Sequence, residues 1–288
     1  MNVTIRRSRR GAPHFDRLLA YFDQWHGRQT DDRRRLHLDE EGAVGHFDGL
    51  QLHSVFQPLF QAETSSPIAY EALLRARDTG GDTIPPQSAF SYAVTPEEIV
   101  YFDHLCRMVH AVNFVRQADP KEILFLNIDG RHLLNAVAGR QGSAFETLLK
   151  YCSLKPTQVV LEIVESRIDD LGCLVEAVSD YQRRGYRVAI DDFGSHDSNF
   201  DRLWKLSPDF VKLDRSLILQ SMINPRARTI FPKLIEIIHD LNAQVVCEGI
   251  ETSEQHEFAL SSGVDLVQGF FCARPHANLL NAESFHRD

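Results

Sequence analysis

No run in this 288-residue chain approaches the ~18 consecutive apolar residues of a membrane span, and its first residues carry no apolar stretch of secretory type. A cytoplasmic protein is therefore expected. Cysteine is scarce and unpaired by spacing: Cys106, Cys152, Cys173, Cys247 and Cys272 are odd in number and form no CxxC. That pattern is read as reduced core thiols. No glycine-rich phosphate loop or dinucleotide fingerprint follows any strand-like run. Positive charge is the minority sign, 31 Lys and Arg against 40 Asp and Glu. The net charge of −9 argues against general binding to nucleic acid or a membrane surface.

Lysine is missing from the first forty residues, which instead hold nine arginines and six acids, a local charge of +3. Phe15, Leu18, Leu19, Phe22 and Trp25 recur there at helical spacing, so residues 1–45 are read as an extension with a short amphipathic helix. The preferred reading is a helix packed onto the main body beside a solvated turn at Arg33, Arg34 and Arg35. A docking arm for nucleic acid or an acidic protein is the other. Such a segment is too short to build its own core. Residues 46–288 form one expected domain, matching the ~250 residues of an α/β barrel. Their share of the chain's 43 % apolar residues is ample for a large core.

What the chain does have is a series of short apolar runs that end on a carboxylate, an amide or a lysine. They are IAYEALL at Glu71, ILFLNI at Asn127, VVLEIVE at Glu162, VAIDDFG at Asp191 and Asp192, FVKLD at Lys212, VVCEGIE at Glu248 and VDLVQG at Gln268. β-branched runs of this length read as buried parallel strands. Polar groups at their carboxyl ends stand where α/β folds place active sites. A further strand, LHSVFQPLF, precedes IAYEALL by only QAETSSP. That gap is too short for a parallel crossover, so these two strands should pair as an antiparallel hairpin. Helical patterns at 96–117, 143–152, 169–184, 226–242 and 253–262 separate most of the later strands. A barrel with one reversed strand is predicted, with an open doubly wound sheet as runner-up.

Glu71, Glu162, Asp191, Asp192 and Glu248 would converge at the mouth of such a barrel. Two carboxylates ~5 Å apart repel by ~3 kcal/mol at an effective dielectric of about 20, and Lys212 supplies one compensating charge. Divalent cations are the expected remainder. With Asn127 the ligands are all oxygen, which favours Mg²⁺ or Mn²⁺ over Zn²⁺. Adjacent aspartates at a strand end suit two ions that share a carboxylate and clamp an in-line phosphoryl displacement.

FQPLF…YEALLR, LNI, LEIVE, DDFG, VKLD, EGIET and QGF, in this order across residues 55–275, resemble the EAL-domain cyclic di-GMP phosphodiesterases. The resemblance implies a modified TIM-type barrel with an antiparallel first strand, a homodimer, and opening of cyclic di-GMP to linear pGpG. It makes Glu71, Asn127, Glu162 and Asp191 ligands of a first metal. Asp191 would be shared with a second ion completed by Asp192 and Glu248, partly through water. It places Lys212 against the nucleophilic water, as base or electrostatic anchor. Gln57, Arg75 and Gln268 would face the substrate, although Arg75 could equally pair with a neighbouring carboxylate. Glu165 and Glu251 would anchor the loop that follows DDFG. That loop departs from the family's TGYSS, reading Ser195-His196-Asp197-Ser198-Asn199-Phe200, and so lacks the second glycine and the tyrosine. His196 is expected in solvent rather than on a metal, and Cys247 in the core rather than as a redox switch. The alternative function is a weak or inactive barrel acting as a cyclic di-GMP receptor or a protein-interaction adaptor. The intact acid cluster weighs against it.

Overall fold

The computed structural model describes residues 15–26, 33–39, 42–64, 66–128, 141–164, 170–195 and 200–280. The barrel strands are β3 (Leu50–Gln61), β4 (Pro67–Arg77), β6 (Ile123–Asn127), β7 (Val159–Val164), β8 (Arg187–Phe193), β9 (Phe210–Leu213), β10 (Gln244–Cys247) and β11 (Leu266–Val267). They pair in sequence order, and β11 closes on β3. Every pairing from β4 to β11 is parallel, whereas β3 is antiparallel to both of its neighbours. The closed ring removes the open-sheet alternative, and the hairpin expected from the short gap is β3–β4.

Helices cover the outside of the barrel. They are α1 (Phe15–His26), α2 (Pro86–Phe90), α3 (Pro96–Val115), α4 (Gln141–Tyr151), α5 (Leu171–Arg183), α6 (Phe200–Leu206), α7 (Arg215–Ile223), α8 (Pro225–Asp240) and α9 (Ser253–Ser261). α3 starts on a capping box between Thr95 and Glu98, and α9 on one between Thr252 and Gln255. The amphipathic α1 packs rather than projects, with Leu18 and Phe22 buried and the Phe22 ring edge-on to Tyr101 of α3. Among the described residues, no helix is long and apolar enough to cross a membrane.

Three strands were not expected. β1 (Arg34–Leu38) and β2 (Ala43–Phe47) form an antiparallel meander that joins β3, and β5 (Thr83–Ile84) pairs with the end of β4. The division expected after residue 45 therefore falls inside β2. Arg34 is not part of a solvated turn either. Its guanidinium bonds Asp48 at 2.5 Å and Glu98 at 2.7 Å and lies over the Phe47 ring at 4.7 Å. Neutralisation by two carboxylates and an aromatic face lets an arginine-rich run enter a strand.

Inside the barrel, one apolar residue from each of the eight strands forms a floor: Leu59, Ala69, Phe125, Val160, Ala189, Phe210, Val246 and Leu266. Side chains alternate with period two along a strand. The residues two positions nearer the mouth are thus the next inward layer. On the parallel strands these are Glu71, Asn127, Glu162, Asp191, Lys212, Glu248 and Gln268. On reversed β3, counting runs backwards, and the residue is Gln57.

Candidate metal centre and substrate cavity

These eight side chains form one polar ring directly above the floor. Lys212 lies at its centre. Its Nζ is 2.5 Å from Glu162 Oε1, 2.7 Å from Glu248 Oε1, 3.1 Å from Asp191 Oδ1 and 3.5 Å from Glu71 Oε2. Lys212 is 1 % exposed and Glu162 fully buried. Gln268 Nε2 donates to Glu71 Oε2 at 2.7 Å, and Gln57 sits opposite Glu71 in the β3–β4 register. Asn127 Nδ2 donates to Glu71 Oε1 at 3.2 Å and Glu162 Oε2 at 3.0 Å. To offer its oxygen to a metal, the Asn127 amide must turn over.

Asp192 reaches the same space by a backbone irregularity. Ile190 is opposite Val211 and Phe193 is opposite Leu213, so Asp191 and Asp192 together face Lys212 alone. This is a bulge, with Asp192 at φ +56°. In a regular strand consecutive carboxylates would point to opposite faces. Here one oxygen each from Asp191, Asp192 and Glu248 fall within 4.8 Å of one another. At the β11 end, a Cβ on Gly269 would collide with the Ile250 carbonyl, so glycine is what lets the Gln268 turn press against the EGIE turn.

The charge balance fits divalent cations. Five acids share the cavity with one enclosed lysine. Burial would lower the Lys212 pKa, but Asp191, Glu162, Glu248 and Glu71 outweigh it and hold the ammonium protonated. Burial, with repulsion from Glu71 and Asp191, raises Glu162 well above the usual carboxylate range. Burial, with repulsion from Asp191 and Glu71, pushes Glu248 up to about 8. The buried Gln268 Oε1 has no hydrogen-bond partner. A crowded, oxygen-only set with an orphaned amide oxygen is what hard cations complete.

The same crowding sets a pH dependence for the cation-free fold. Glu248 moves from 4.5 to about 8 on folding. The folded chain therefore keeps a proton that the unfolded chain has released, and stability falls as pH rises through that window. The melting temperature of the chelated protein is expected to drop between about pH 5 and pH 8. Glu248→Gln should flatten the drop, and Mn²⁺ should restore stability more at the upper end. Parallel curves for wild type and Glu248→Gln in a thermal scan would count against this origin.

A cavity of about 290 Å³ opens over the ring, lined also by Arg215, Gly249, Glu251 and Phe270. A larger one of about 650 Å³ adjoins it at Glu71, Asp191 and Asp192 and runs beneath α2 and α3, past Phe90 and His110. Arg75 lines neither cavity; its Nη1 bonds the Leu74 carbonyl at 2.9 Å. Glu251 pairs with Arg215 at 2.7 Å. Glu165 and His196 lie outside the described residues. Cys247 is buried in the core, and burial raises its thiol pKa. Sequence reasoning missed Arg215 and Phe270. Arg215 opens a helix just after FVKLD, and Phe270 follows Gln268, so both stand beside strand-end residues, the one signal that could have found them.

Comparison with known proteins matches the EAL domain family model to residues 45–275. Signaling protein YkoW of Bacillus subtilis is 28 % identical over 246 residues, covering 79 % of this chain and 28 % of the relative. Cyclic di-GMP phosphodiesterase RocR of Pseudomonas aeruginosa is 24 % identical over 270 residues, covering 90 % of this chain and 67 % of the relative. The crystal structure of Bacillus subtilis YkuI, in complex with cyclic di-GMP and calcium, superposes with a TM-score of 0.68 at 25 % identity. It covers 80 % of this chain and 57 % of that one. The chain spans 28 %, 56 % and 42 % of the length of three curated relatives, YkoW, YkuI and PdeB.

Proposed function

We propose that this chain, which belongs to the EAL domain family, hydrolyses cyclic di-GMP to linear 5′-pGpG with the help of two Mg²⁺ or Mn²⁺ ions. The observation that carries this reading is the polar ring of four carboxylates, three amides and one lysine over an apolar floor, with Asp192 brought beside it by the bulge. Glu71, Asn127, Glu162 and Asp191 would hold one ion, and Asp191, Asp192 and Glu248 the other. Bound there, the ions would supply Lewis-acid polarisation of the phosphodiester and offset its charge.

The chain's own groups supply the rest. Lys212, with Nζ within 3.5 Å of four carboxylates, serves as a fixed positive charge and donor at the centre of the ring. Asp192 and Glu248 are partly exposed to the cavity and are the carboxylates in reach for a proton released by water. Gln57 and Gln268 present amides to the nucleotide, and Arg75 stands further along β4 for a second contact if its bond to Leu74 is given up. A cytoplasmic homodimer is part of the same proposal.

Purified protein incubated with cyclic di-GMP, its products separated by chromatography, tests the reading. The linear dinucleotide is expected only with Mg²⁺ or Mn²⁺, and Ca²⁺ should support binding with little turnover. Full activity after exhaustive chelation would overturn the metal mechanism. Binding without cleavage under every ion would move the protein to the receptor class.

A further inference from the structure

We propose, building on the phosphodiesterase reading above, that Arg215 is a phosphate-positioning residue of this cavity. Glu251 holds one side of its guanidinium, while the remaining N–H donors take a phosphodiester oxygen of the bound dinucleotide.

Three observations lead there. The first is placement. Arg215 is the opening residue of α7, whose start is fixed by Asp214 Oδ1 accepting from Ser216 N at 2.9 Å. Its aliphatic stem lies against the turn after β10, where Gly249 has φ +67° and a Cβ would land on Arg215 Cβ and Cγ. Any other residue at 249 would displace the stem. The second is orientation. Arg215 Nη2 donates to Glu251 Oε2 at 2.7 Å, and both residues line the 290 Å³ cavity. At 49 % and 36 % side-chain exposure this ion pair adds little to stability, but it holds one end of the guanidinium at the cavity wall.

The third is charge. The described lining of this cavity holds the acids Glu71, Asp191, Asp192, Glu248 and Glu251, and two cations, Lys212 and Arg215. Lys212 is enclosed by four carboxylates. Arg215 therefore supplies the cation that an incoming anion meets. A planar guanidinium has five donors, so one bond to Glu251 leaves donors for phosphate.

Affinity for cyclic di-GMP is measured by calorimetry with Ca²⁺, and KM and kcat with Mg²⁺, for wild type, Arg215→Ala, Arg215→Lys and Glu251→Gln. Arg215→Ala is expected to raise Kd and KM by roughly 10- to 100-fold, the loss of a hydrogen bond to a charged group, with kcat changed only a few-fold. Arg215→Lys keeps the charge without the fork and should fall between. Glu251→Gln should weaken binding by a few-fold through lost orientation. Wild-type Kd and KM in Arg215→Ala, or a loss confined to kcat, would overturn the assignment. If Arg215→Ala fails to fold, wild-type affinity in both remaining variants overturns it equally. A wild-type protein that neither binds nor cleaves cyclic di-GMP instead overturns the parent reading, and this one with it.

Discussion

Alanine in place of Lys212 is expected to cut cyclic di-GMP turnover by ~100-fold or more, the scale of a positioned electrostatic or proton-transfer group. The reason is local. Nζ stands within 3.5 Å of four carboxylates, and its removal leaves Glu162, fully buried, beside Glu71, Asp191 and Glu248 with no cation between them. Stripping one partner from a buried ionic cluster typically costs about 3–5 kcal/mol. The chelated variant should therefore melt well below the chelated wild type, and added Mn²⁺ should recover most of the difference. Metal content by elemental analysis should stay close to wild type. Near-normal turnover at saturating substrate would remove Lys212 from the machinery.

Glu71→Ala is expected to abolish turnover by a different route, through loss of metal. Glu71 accepts from Gln268 Nε2 and Asn127 Nδ2 and faces Lys212, so it joins three ring members as well as offering a ligand. Truncating it leaves the buried Gln268 amide without its acceptor, a cost of about 1–3 kcal/mol, while Asn127 keeps Glu162 as its acceptor. Elemental analysis after gel filtration should show reduced occupancy, in contrast to Lys212→Ala. Full occupancy together with wild-type rate would show that Glu71 is not a ligand. The pair of variants thus separates holding the ions from using them.

The ring was legible in the sequence because its members on the parallel strands sit two residues past a buried strand residue, and Gln57 on reversed β3 two before one, a relation set by the period of the strand itself. Glu71 after Ala69 and Lys212 after Phe210 are examples. The reversed strand was legible in the seven-residue gap, since no crossover fits there. Other features depend on tertiary partners that a local pattern does not contain. The bulge at Asp191 and Asp192 appears only when β8 is aligned with β9. β1 reads as a solvated arginine run until Asp48, Glu98 and Phe47 are placed around Arg34. Arg215 reaches the cavity because Gly249, 34 residues later, leaves room for its stem. Arg75 carries the right chemistry, yet its position four residues beyond Glu71 on β4 takes it past the cavity rim.

The backward direction of β3 has a consequence for how this barrel can be attached to anything joined ahead of it. In a barrel whose strands all run one way, the chain enters at the floor end and any preceding segment hangs on the face remote from the chemistry. Here Gln51 to Phe56 pair with Ala72 to Arg77, the stretch of β4 beyond Glu71, so the chain enters at the open end. β1 and β2 lie on that same projecting hairpin, and α3 packs against both. The path along β3 from the meander to Gln57 does not cross the apolar floor, which begins at Leu59. One inverted strand makes the entrance to the fold and the entrance to the cavity the same end of the molecule.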